Sequence, residues 1–325
     1  MRPFGTVHRL ALACILVLGL SAGLGSGARA DIQPRGAIPP SVTPDTADGV
    51  IQAIGVAGSK LGADANQLTF LPTGAAGPVS LTVDRPADKQ ALDLGARPGD
   101  RIWLTVDDPI NPRQVIQITR IARPVPPLQR TIALVGAFAA IAALAALATS
   151  GKPWRFAVGD DNRLSNSQSQ LMLWFGVVAV VYGGALFLRA WFLGWDFIGG
   201  ISMTTNVLAM TGLSGLSFGA AKMVAVQKGP TVPAPTDTPA EPVRPKFTDL
   251  FLNDYGDADL GDFQMILISL AAALIFACAS WQFLALLDIV QTTTLPDIDT
   301  ALLGSFGVGQ GAYLIKKAAL PAGVG

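Results

Sequence analysis

Two patterns of hydrophobic residues divide the chain. From residue 49 to about residue 122, short apolar runs alternate with turn residues, and in the run 101–106 every second side chain is apolar. A period of two is typical of a half-buried β-strand. Beyond residue 130 the apolar runs become long enough to cross a membrane. The sequence therefore predicts a small β domain followed by membrane helices.

The β domain is predicted to span 49–122 and to contain five short strands. They lie at 49–56, 67–71, 79–83, 101–106 and 115–121. Five short strands in so few residues fit a small closed barrel or sandwich, such as an OB-like barrel. Phe70 and Trp103 are nearly its only aromatic residues and no basic stripe accompanies them, so nucleic acid is not an expected partner. A binding or spacing module is the expected role.

About five transmembrane helices are predicted after a proline-rich neck at 123–130. They are TM1 at 131–150, TM2 at 171–193, TM3 at 206–226, TM4 at 264–290 and TM5 at 300–315. The last of these is short for a full crossing and rich in glycine. The predicted fold class is therefore a membrane α-helical protein with a small all-β domain.

The flanking charges predict the orientation of these helices. Lysine and arginine follow the first, third and fifth spans, at Lys152, Arg155, Arg163, Lys222, Lys228, Arg244, Lys246, Lys316 and Lys317. The opposite connections, 194–205 and 291–295, contain neither residue type. Because basic residues favour the cytoplasmic side, the β domain is predicted to be periplasmic and the C-terminus cytoplasmic.

The N-terminal 30 residues have the three parts of a bacterial export signal. Arg2 and Arg9 charge its start, 10–20 form an apolar core too short to span as a stable helix, and Ala28 and Ala30 flank a cleavage pattern. Cleavage after Ala30 is preferred to an uncleaved anchor. Residues 31–48 are rich in proline, alanine and threonine, which predicts an extended tether in front of the β domain.

The composition excludes several chemistries. Charged residues make up only 14% of the chain and the formal net charge is zero, while His8 and Cys14 lie inside the predicted signal. Removal of that signal leaves no histidine and only Cys278. A Ser-His-Asp triad, a Cys-His dyad, an ordinary zinc site and an intrachain disulfide are then excluded. No cofactor motif is present, and an enzyme using carboxylates is the weakest functional hypothesis.

The second half of the chain matches itself at a constant shift of 94 residues. Gln170 falls on Gln264, Gly215 on Gly309, and Lys222 on Lys316. This predicts two parallel repeats, unit 1 at 151–228 and unit 2 at 247–318, related by an axis along the membrane normal. A proline-rich cytoplasmic linker at 229–246 joins them, and a tail at 319–325 follows.

Seven glycines in the third and fifth predicted spans leave smooth helix faces. They are Gly212, Gly215, Gly219, Gly304, Gly307, Gly309 and Gly311. Small residues four positions apart favour close helix packing, which is the preferred interpretation. The alternative is that 305–311 is non-helical backbone lining a pore.

The remaining charged residues fit structural roles. Asp107 with Asp108 is interpreted as a turn, and the acidic run 253–262, which does not match a calcium-binding loop, as a turn that caps a helix. Asp297 with Asp299 is interpreted as a helix cap, with a cation site at the outer surface as the alternative. Arg189 and Asp288 lie near the ends of their predicted spans, where their charges reach the surface. Lys222, Lys316 and Lys317 are predicted inner-surface anchors in contact with membrane lipid.

These features lead to two functional hypotheses. The first is a non-enzymatic multi-pass inner-membrane protein, a structural or assembly subunit of a bacterial envelope complex with homo- or hetero-oligomeric partners. The second is a subunit of an oligomeric channel or transporter, for which the repeats and the glycine-rich spans are the motivation.

Overall fold

The computed structural model describes residues 46–54, 66–108, 111–159, 162–228, 245–252 and 258–319. The predicted signal, most of the predicted tether, most of the linker and all but the first residue of the tail lie outside these ranges. The described residues form two compact units. The sheet unit contains the residues up to Ala133, Gly183–Ser202 and Ala279–Leu295, and the helix unit contains Leu134–Tyr182, Met203–Cys278 and the residues from Pro296 onward.

Five strands of the sheet unit coincide with the five predicted ones. They are β1 Thr46–Ile54, β2 Gln67–Pro72, β3 Val79–Val83, β4 Arg101–Val106 and β5 Gln114–Pro124. Two boundaries differ from the prediction. Strand β1 takes in the end of the predicted tether, and β5 continues into the predicted neck, because both segments have backbone partners in neighbouring strands.

The strand pairing forms a closed circuit. Strand β1 pairs antiparallel with β2 and β4, β2 with β3, and β4 with β5, while β3 and β5 close the circuit through a short parallel pairing. Alternate residues of β4 are buried, as the period of two predicts. They join a common core that includes Leu68, Phe70, Ile102, Leu104 and Val106.

The sheet unit contains a short helix that the sequence analysis missed. Helix α1, Pro86–Asp93, lies between β3 and β4 in the chain and begins with proline, whose fixed φ suits the first turn. Only Asp88 and Leu92 are buried, so the helix has too few apolar residues to produce a helical period. The Asp88 carboxylate accepts a hydrogen bond from the Ile118 N–H at 3.1 Å, which fastens α1 to β5.

A sixth strand comes from the region predicted as the end of TM4. Helix α5, Leu260–Phe283, is followed by β7, Leu286–Asp288, which pairs antiparallel with β5. The predicted span 264–290 is therefore too long. Leu284, Leu287 and Ile289 are all buried, and an apolar run of this kind does not distinguish a strand from a helix by hydropathy alone.

Five longer helices complete the chain. They are α2 Pro127–Ala148, α3 Asn166–Phe192, α4 Thr205–Lys228, α5 Leu260–Phe283 and α6 Thr300–Ala319. Four of them, α2 to α5, are long and apolar enough to cross a membrane. Helix α6 coincides with the fifth predicted span but does not reach that apolarity, because glycines and polar side chains interrupt it. It is continuous through 305–311, which contradicts the irregular backbone of the pore alternative.

The helix unit contains two segments with matching local structure 94 residues apart. A 3-10 turn at Pro153–Ala157 recurs at Phe247–Phe251. The isolated bridge between Val158 and Leu164 recurs between Leu252 and Ala258. The following helices, α3 and α5, begin at Asn166 and Leu260, which preserves the same spacing.

Candidate functional site

Arg189 is the largest fully buried side chain of the described chain and forms the centre of a carbonyl-lined site in the sheet unit. Its Nε donates to the Phe197 carbonyl at 2.8 Å. Its Nη2 donates to the Val290 carbonyl at 2.7 Å and to the Gln291 carbonyl at 3.1 Å. The guanidinium therefore binds the connection after α3 and the connection after α5 at the same time. The prediction that this charge reaches the surface is wrong, since backbone carbonyls solvate it inside the protein.

A second buried arginine, Arg123 in β5, donates to three residues of two other segments. Its Nε and Nη2 each donate to the Asp100 carboxylate at 2.8 Å, the bidentate geometry that makes such pairs strong. Nη2 also donates to the Gly95 carbonyl at 2.7 Å, and Nη1 donates to the carbonyl of Phe192, the last residue of α3. Arg123 therefore joins the sheet to the C-terminal end of a helix, where carbonyls lack intrahelical partners.

Two more arginines join elements of the sheet unit: Arg120 joins β5 to β7, and Arg130 joins α2 to the last turn of α5. Arg120 donates to the Asp288 carboxylate at 2.6 Å and lies over the Trp103 ring, with 5.0 Å between the guanidinium carbon and the ring centroid. Arg130 donates to the Trp281 carbonyl at 2.9 Å and lies over the same tryptophan's ring at 4.5 Å. Asp288 is thus a strand residue paired across the sheet, not a charge near the end of a span.

Two short strands join the same connections to each other. Strand β6, Ile201–Ser202, pairs in parallel with β8, Thr293–Thr294. Gly200, at φ +75°, lies so close to the Gln291 carbonyl that a Cβ there would collide with it. The close approach of two backbones explains why glycine occupies this position.

The chemistry of the arginine network suits a structural role. Its guanidinium groups donate to backbone carbonyls and carboxylates, and arginine keeps its charge at all ordinary pH values, so they supply no proton-transfer group. Arginine suits such a site because its planar fork reaches several acceptors at fixed angles. The arrangement can hold helix ends and strands together as one rigid body.

The helix unit contains a second polar cluster, a chain of three amide side chains. The Gln310 Nε2 of α6 donates to the Gln170 Oε1 of α3 at 2.5 Å, and the Gln170 Nε2 donates to the Asn166 Oδ1 at 3.2 Å. Gln170 and Gln310 are both 2% exposed. Within the described chain, the Asn166 amide nitrogen and the Gln310 amide oxygen at the two ends have no hydrogen-bond partner.

A groove of about 550 Å³ lies between α5 and α6 in the helix unit. Helix α5 contributes Gly261, Asp262, Gln264, Met265 and Ile268, and α6 contributes Ser305, Val308, Gly309, Ala312 and Tyr313. Gln310 is not among the lining residues, so the groove and the amide chain occupy different faces of α6. Four of the lining side chains are apolar, at Met265, Ile268, Val308 and Ala312, and four carry polar groups, at Asp262, Gln264, Ser305 and Tyr313.

The predicted glycine faces have different surroundings. Helices α4 and α6 pack against each other, and a Cβ added at Gly307 would lie 3.8 Å from the Leu213 side chain. A Cβ at any of the other six would meet no atom of the described chain within 4 Å: Gly212, Gly215, Gly219, Gly304, Gly309 and Gly311. Of the predicted lysine anchors, Lys222 is exposed on α4, and the side chains of Lys316 and Lys317 lie outside the described part.

Two of the acidic residues, Asp259 and Asp299, cap helices, whereas the Asp297 carboxylate accepts from the Asn206 Nδ2 of α4 at 3.1 Å. Asp259 Oδ1 accepts from the Gly261 N–H at 2.8 Å at the start of α5, and Asp299 Oδ1 accepts from the Ala301 N–H at 2.7 Å at the start of α6. Both are N-capping contacts. No group of three acidic, cysteine or histidine side chains within the described ranges is arranged to hold a metal ion.

Asp107 has a comparable role in the connection between β4 and β5. Its Oδ1 accepts from the N–H groups of Gln114 and Arg113, each at 3.0 Å. These donors, Gln114 first, hold the pKa of the Asp107 carboxyl below its ordinary value because they stabilise its charged form. A turn, as the sequence indicates, is what these contacts form.

Four apolar helices of spanning length place the chain among membrane proteins. Comparison with known protein families, curated proteins and solved structures gives no match. The class of protein thus follows from the fold alone.

Sequence reasoning missed the buried arginine network. The sequence did contain one signal for it, because an arginine in the last turn of an otherwise apolar helix requires hydrogen-bond acceptors. The connections 194–205 and 291–295, predicted to lie beside it, contain no other lysine or arginine that would compete for those acceptors. The amide chain had no comparable signal, since a glutamine in an apolar helix does not identify its partner.

Proposed function

We propose that this chain is a non-enzymatic, multi-pass subunit of a bacterial inner-membrane assembly that presents its β domain rigidly on the periplasmic side. The single observation that carries the proposal is the arginine network of the sheet unit. Within this unit, Arg123 joins β5 to the Phe192 end of α3, and Arg189 joins the connections that follow α3 and α5. A rigid connection between the strands and the helix ends suits a protein that positions a partner.

The closed strand circuit supports an OB-like barrel as the presented module. An OB-fold is a five-stranded Greek-key barrel used as a binding platform. Here five strands close on each other, and α1 lies between the third and fourth. A barrel without the aromatic and basic residues of nucleic-acid binders suits a protein partner.

The periplasmic orientation rests on charge and on aromatic residues. Basic residues follow α2 and α4, whereas the connections 194–205 and 291–295 contain neither lysine nor arginine. Phe187, Trp191 and Trp195 are exposed at the end of α3 in this unit, with Trp195 81% exposed. Exposed aromatic residues at a helix end are typical of the membrane–water interface.

We also propose that α3 to α6 arose as two copies of one helix pair, with α6 as a fifth membrane segment. The recurrence of a 3-10 turn, a bridge and a helix start at a spacing of 94 residues supports this. The parallel pairing of β6 with β8 also supports this proposal. A two-fold rotation about an axis that runs along a strand produces a second strand in the same direction.

The first experiment measures the size of the protein. A C-terminally tagged chain, expressed at its native level, is extracted in mild detergent and its mass is determined by mass photometry. A stable particle larger than the 33.7 kDa chain with its micelle supports the proposal. A homogeneous monomer would contradict it.

The second experiment measures the orientation, with the Cys278→Ser chain as background. Ala76→Cys lies in an exposed turn of the β domain, and Lys152→Cys lies in an exposed turn after α2. In spheroplasts, a membrane-impermeant maleimide should label only Ala76→Cys, and permeabilisation should add Lys152→Cys. The opposite labelling order would invert the proposed topology.

The channel or transporter alternative is favoured by the amide chain, because buried polar groups among membrane helices often mark a transport path. Its test is thiol labelling of Ser305→Cys, Val308→Cys and Gln310→Cys in the same background. A pore along α6 requires rapid reaction of Gln310→Cys with a water-soluble reagent. Protection of Gln310→Cys, which its burial favours, would remove this alternative.

A further inference from the structure

Arg130, near the start of α2, is a buried cation with few partners. The buried arginines Arg123 and Arg189 each donate four hydrogen bonds within the sheet unit. Arg130 is only 8% exposed, yet it donates one, to the Trp281 carbonyl, although a guanidinium carries five N–H donors. Its Nε is buried without an acceptor in the described chain. The neighbouring Gln129 Oε1 also lacks a donor, but consecutive residues of a helix do not face each other.

The charge of Arg130 has no counter-ion among the described residues. Carboxylates there pair with Arg85, Arg120 and Arg123, and none pairs with Arg130. The Trp281 ring, whose centroid lies 4.5 Å from the guanidinium carbon, attracts the cation but accepts little of its hydrogen-bonding capacity. A buried charge is costly unless it is paired and hydrogen-bonded. Arg130 therefore requires an anion from outside the described part of the chain.

The position of Arg130 selects the source of that anion. Helix α2 begins at Pro127 and is one of the four described helices that are long and apolar enough to cross a membrane. Side chains of a helix lean toward its N-terminus, so the guanidinium is directed to the end of α2 that meets the membrane surface. The positive end of the helix dipole favours an anion at the same place. Phospholipid phosphates are the anions present in the headgroup layer.

We propose that Arg130 binds the phosphate group of a membrane phospholipid. The planar fork of a guanidinium matches two phosphate oxygens, which suits the donors that the protein leaves unused. Leu128 and Ile132, 68% and 55% exposed on another face of α2, are covered by acyl chains of the same lipid layer. The proposal requires only that α2 crosses a membrane. It depends neither on the side that the β domain faces nor on its assembly with other subunits.

The test uses the full chain, freed of lipid in dodecyl maltoside and phosphate-free buffer. Native mass spectrometry measures the retention of dioleoyl phosphatidylglycerol and of dioleoylglycerol, which has the same acyl chains without the phosphate. Inorganic phosphate is added as a competitor. Arg130→Gln removes the charge, whereas Arg130→Lys keeps the charge and a donor for the Trp281 carbonyl but loses the fork. Arg113→Gln is the matched control, because this exposed arginine precedes β5 at the end of the strand opposite α2.

One phosphatidylglycerol should remain on the wild-type chain and on Arg113→Gln, and its affinity should fall about tenfold in Arg130→Gln, because charge-assisted hydrogen bonds are lost. Arg130→Lys should give an intermediate affinity, and this variant decides the comparison if Arg130→Gln does not fold. Dioleoylglycerol should not be retained.

Three results would overturn the proposal. Wild-type affinity in the Arg130 variants, or retention of dioleoylglycerol, would show that the phosphate does not bind Arg130. Displacement of the lipid by inorganic phosphate would identify a free anion as the occupant. A wild-type chain that retains no phospholipid would show that no such site exists.

Discussion

Arg123 and Asp100 form a buried ion pair with two hydrogen bonds of 2.8 Å, and their side chains are 10% and 3% exposed. The Asp100 carboxylate also accepts from the Arg97 N–H at 2.7 Å. The pair joins β5 to the turn before β4, while the other donors of Arg123 reach the end of α3. A change at either residue should therefore affect strands and helix ends together.

Arg123→Met should destabilise the protein strongly, because it leaves the Asp100 carboxylate buried without its cation. Loss of one partner of a buried pair costs about 3–5 kcal/mol. The double variant Arg123→Met with Asp100→Leu should lose less, since no unpaired charge remains. Denaturant unfolding of the full chain in micelles measures both. A double variant as unstable as the single one would show that the carbonyl contacts of Arg123 dominate.

Arg189→Lys should loosen the connections after α3 and α5 although it preserves the charge. A lysine ammonium cannot reproduce the planar fork that reaches Phe197, Val290 and Gln291. Each buried carbonyl left without a donor costs about 1–3 kcal/mol. Hydrogen exchange of the amides at 289–295 should accelerate.

Arg120→Lys is the matched control for Arg189→Lys. Arg120 is 38% exposed in its pair with Asp288, and pairs of this kind contribute about 0–1 kcal/mol. Its exchange pattern should stay close to that of the wild-type protein. Equally faster hydrogen exchange at 289–295 in both variants would mean that the buried contacts of Arg189 stabilise these connections no more than the exposed pair of Arg120 does.

The sequence predicts the five strands and the apolar helices well, because each has a local periodicity or composition. It fails where non-local contacts decide the structure. The residues 284–290 are apolar enough to continue α5, yet Val125 and Ile121 of the sheet unit provide backbone partners that make them extended. Arg189 was visible as a charge, but the Val290 and Gln291 carbonyls that it binds lie about 100 positions away in the chain. Side-chain partners at such separations have no signal in a single sequence.

Gly49→Ala should destabilise the β domain through a steric clash. Strand β1 pairs on both sides here, and a Cβ at Gly49 would collide with the Leu71 carbonyl and the Phe70 ring. Relief requires backbone movement in a closed circuit, and overpacking typically costs about 1–3 kcal/mol. Gly77→Ala is the matched control, since its Cβ would meet no described atom within 4 Å. Thermal unfolding in one detergent compares the two, and equal midpoints would refute the close approach.

Asp107 should make the connection between β4 and β5 sensitive to acid. Its folded-state pKa is lowered, so its stabilising contribution is complete above the ordinary aspartate value of about 4 and is lost as the pH falls through the folded pKa. Carbon-13 detection of the Asp107 carboxyl in the full chain should show a midpoint below that of a model peptide. Asp107→Asn should remove the acid-induced change in the Arg113 and Gln114 amide signals. A midpoint at or above the peptide value would contradict the two backbone contacts.

The hydrogen bond between Gln170 and Gln310 should stabilise the protein, and the effects of changing its two residues should not be additive. Gln310→Leu leaves the Gln170 Oε1 without its donor among apolar helices, and such interhelical hydrogen bonds are worth about 0.6–2 kcal/mol. The double variant Gln170→Leu with Gln310→Leu should recover part of this loss, because two apolar side chains then meet. Gln264→Leu is the matched control, since Gln264 stands 94 positions after Gln170 but is exposed. Unfolding in sodium dodecyl sulfate should rank Gln310→Leu as least stable and leave Gln264→Leu near the wild-type protein. If Gln264→Leu were equally unstable, the effect would come from glutamine on any helix face, and the contact between α3 and α6 would contribute nothing of its own.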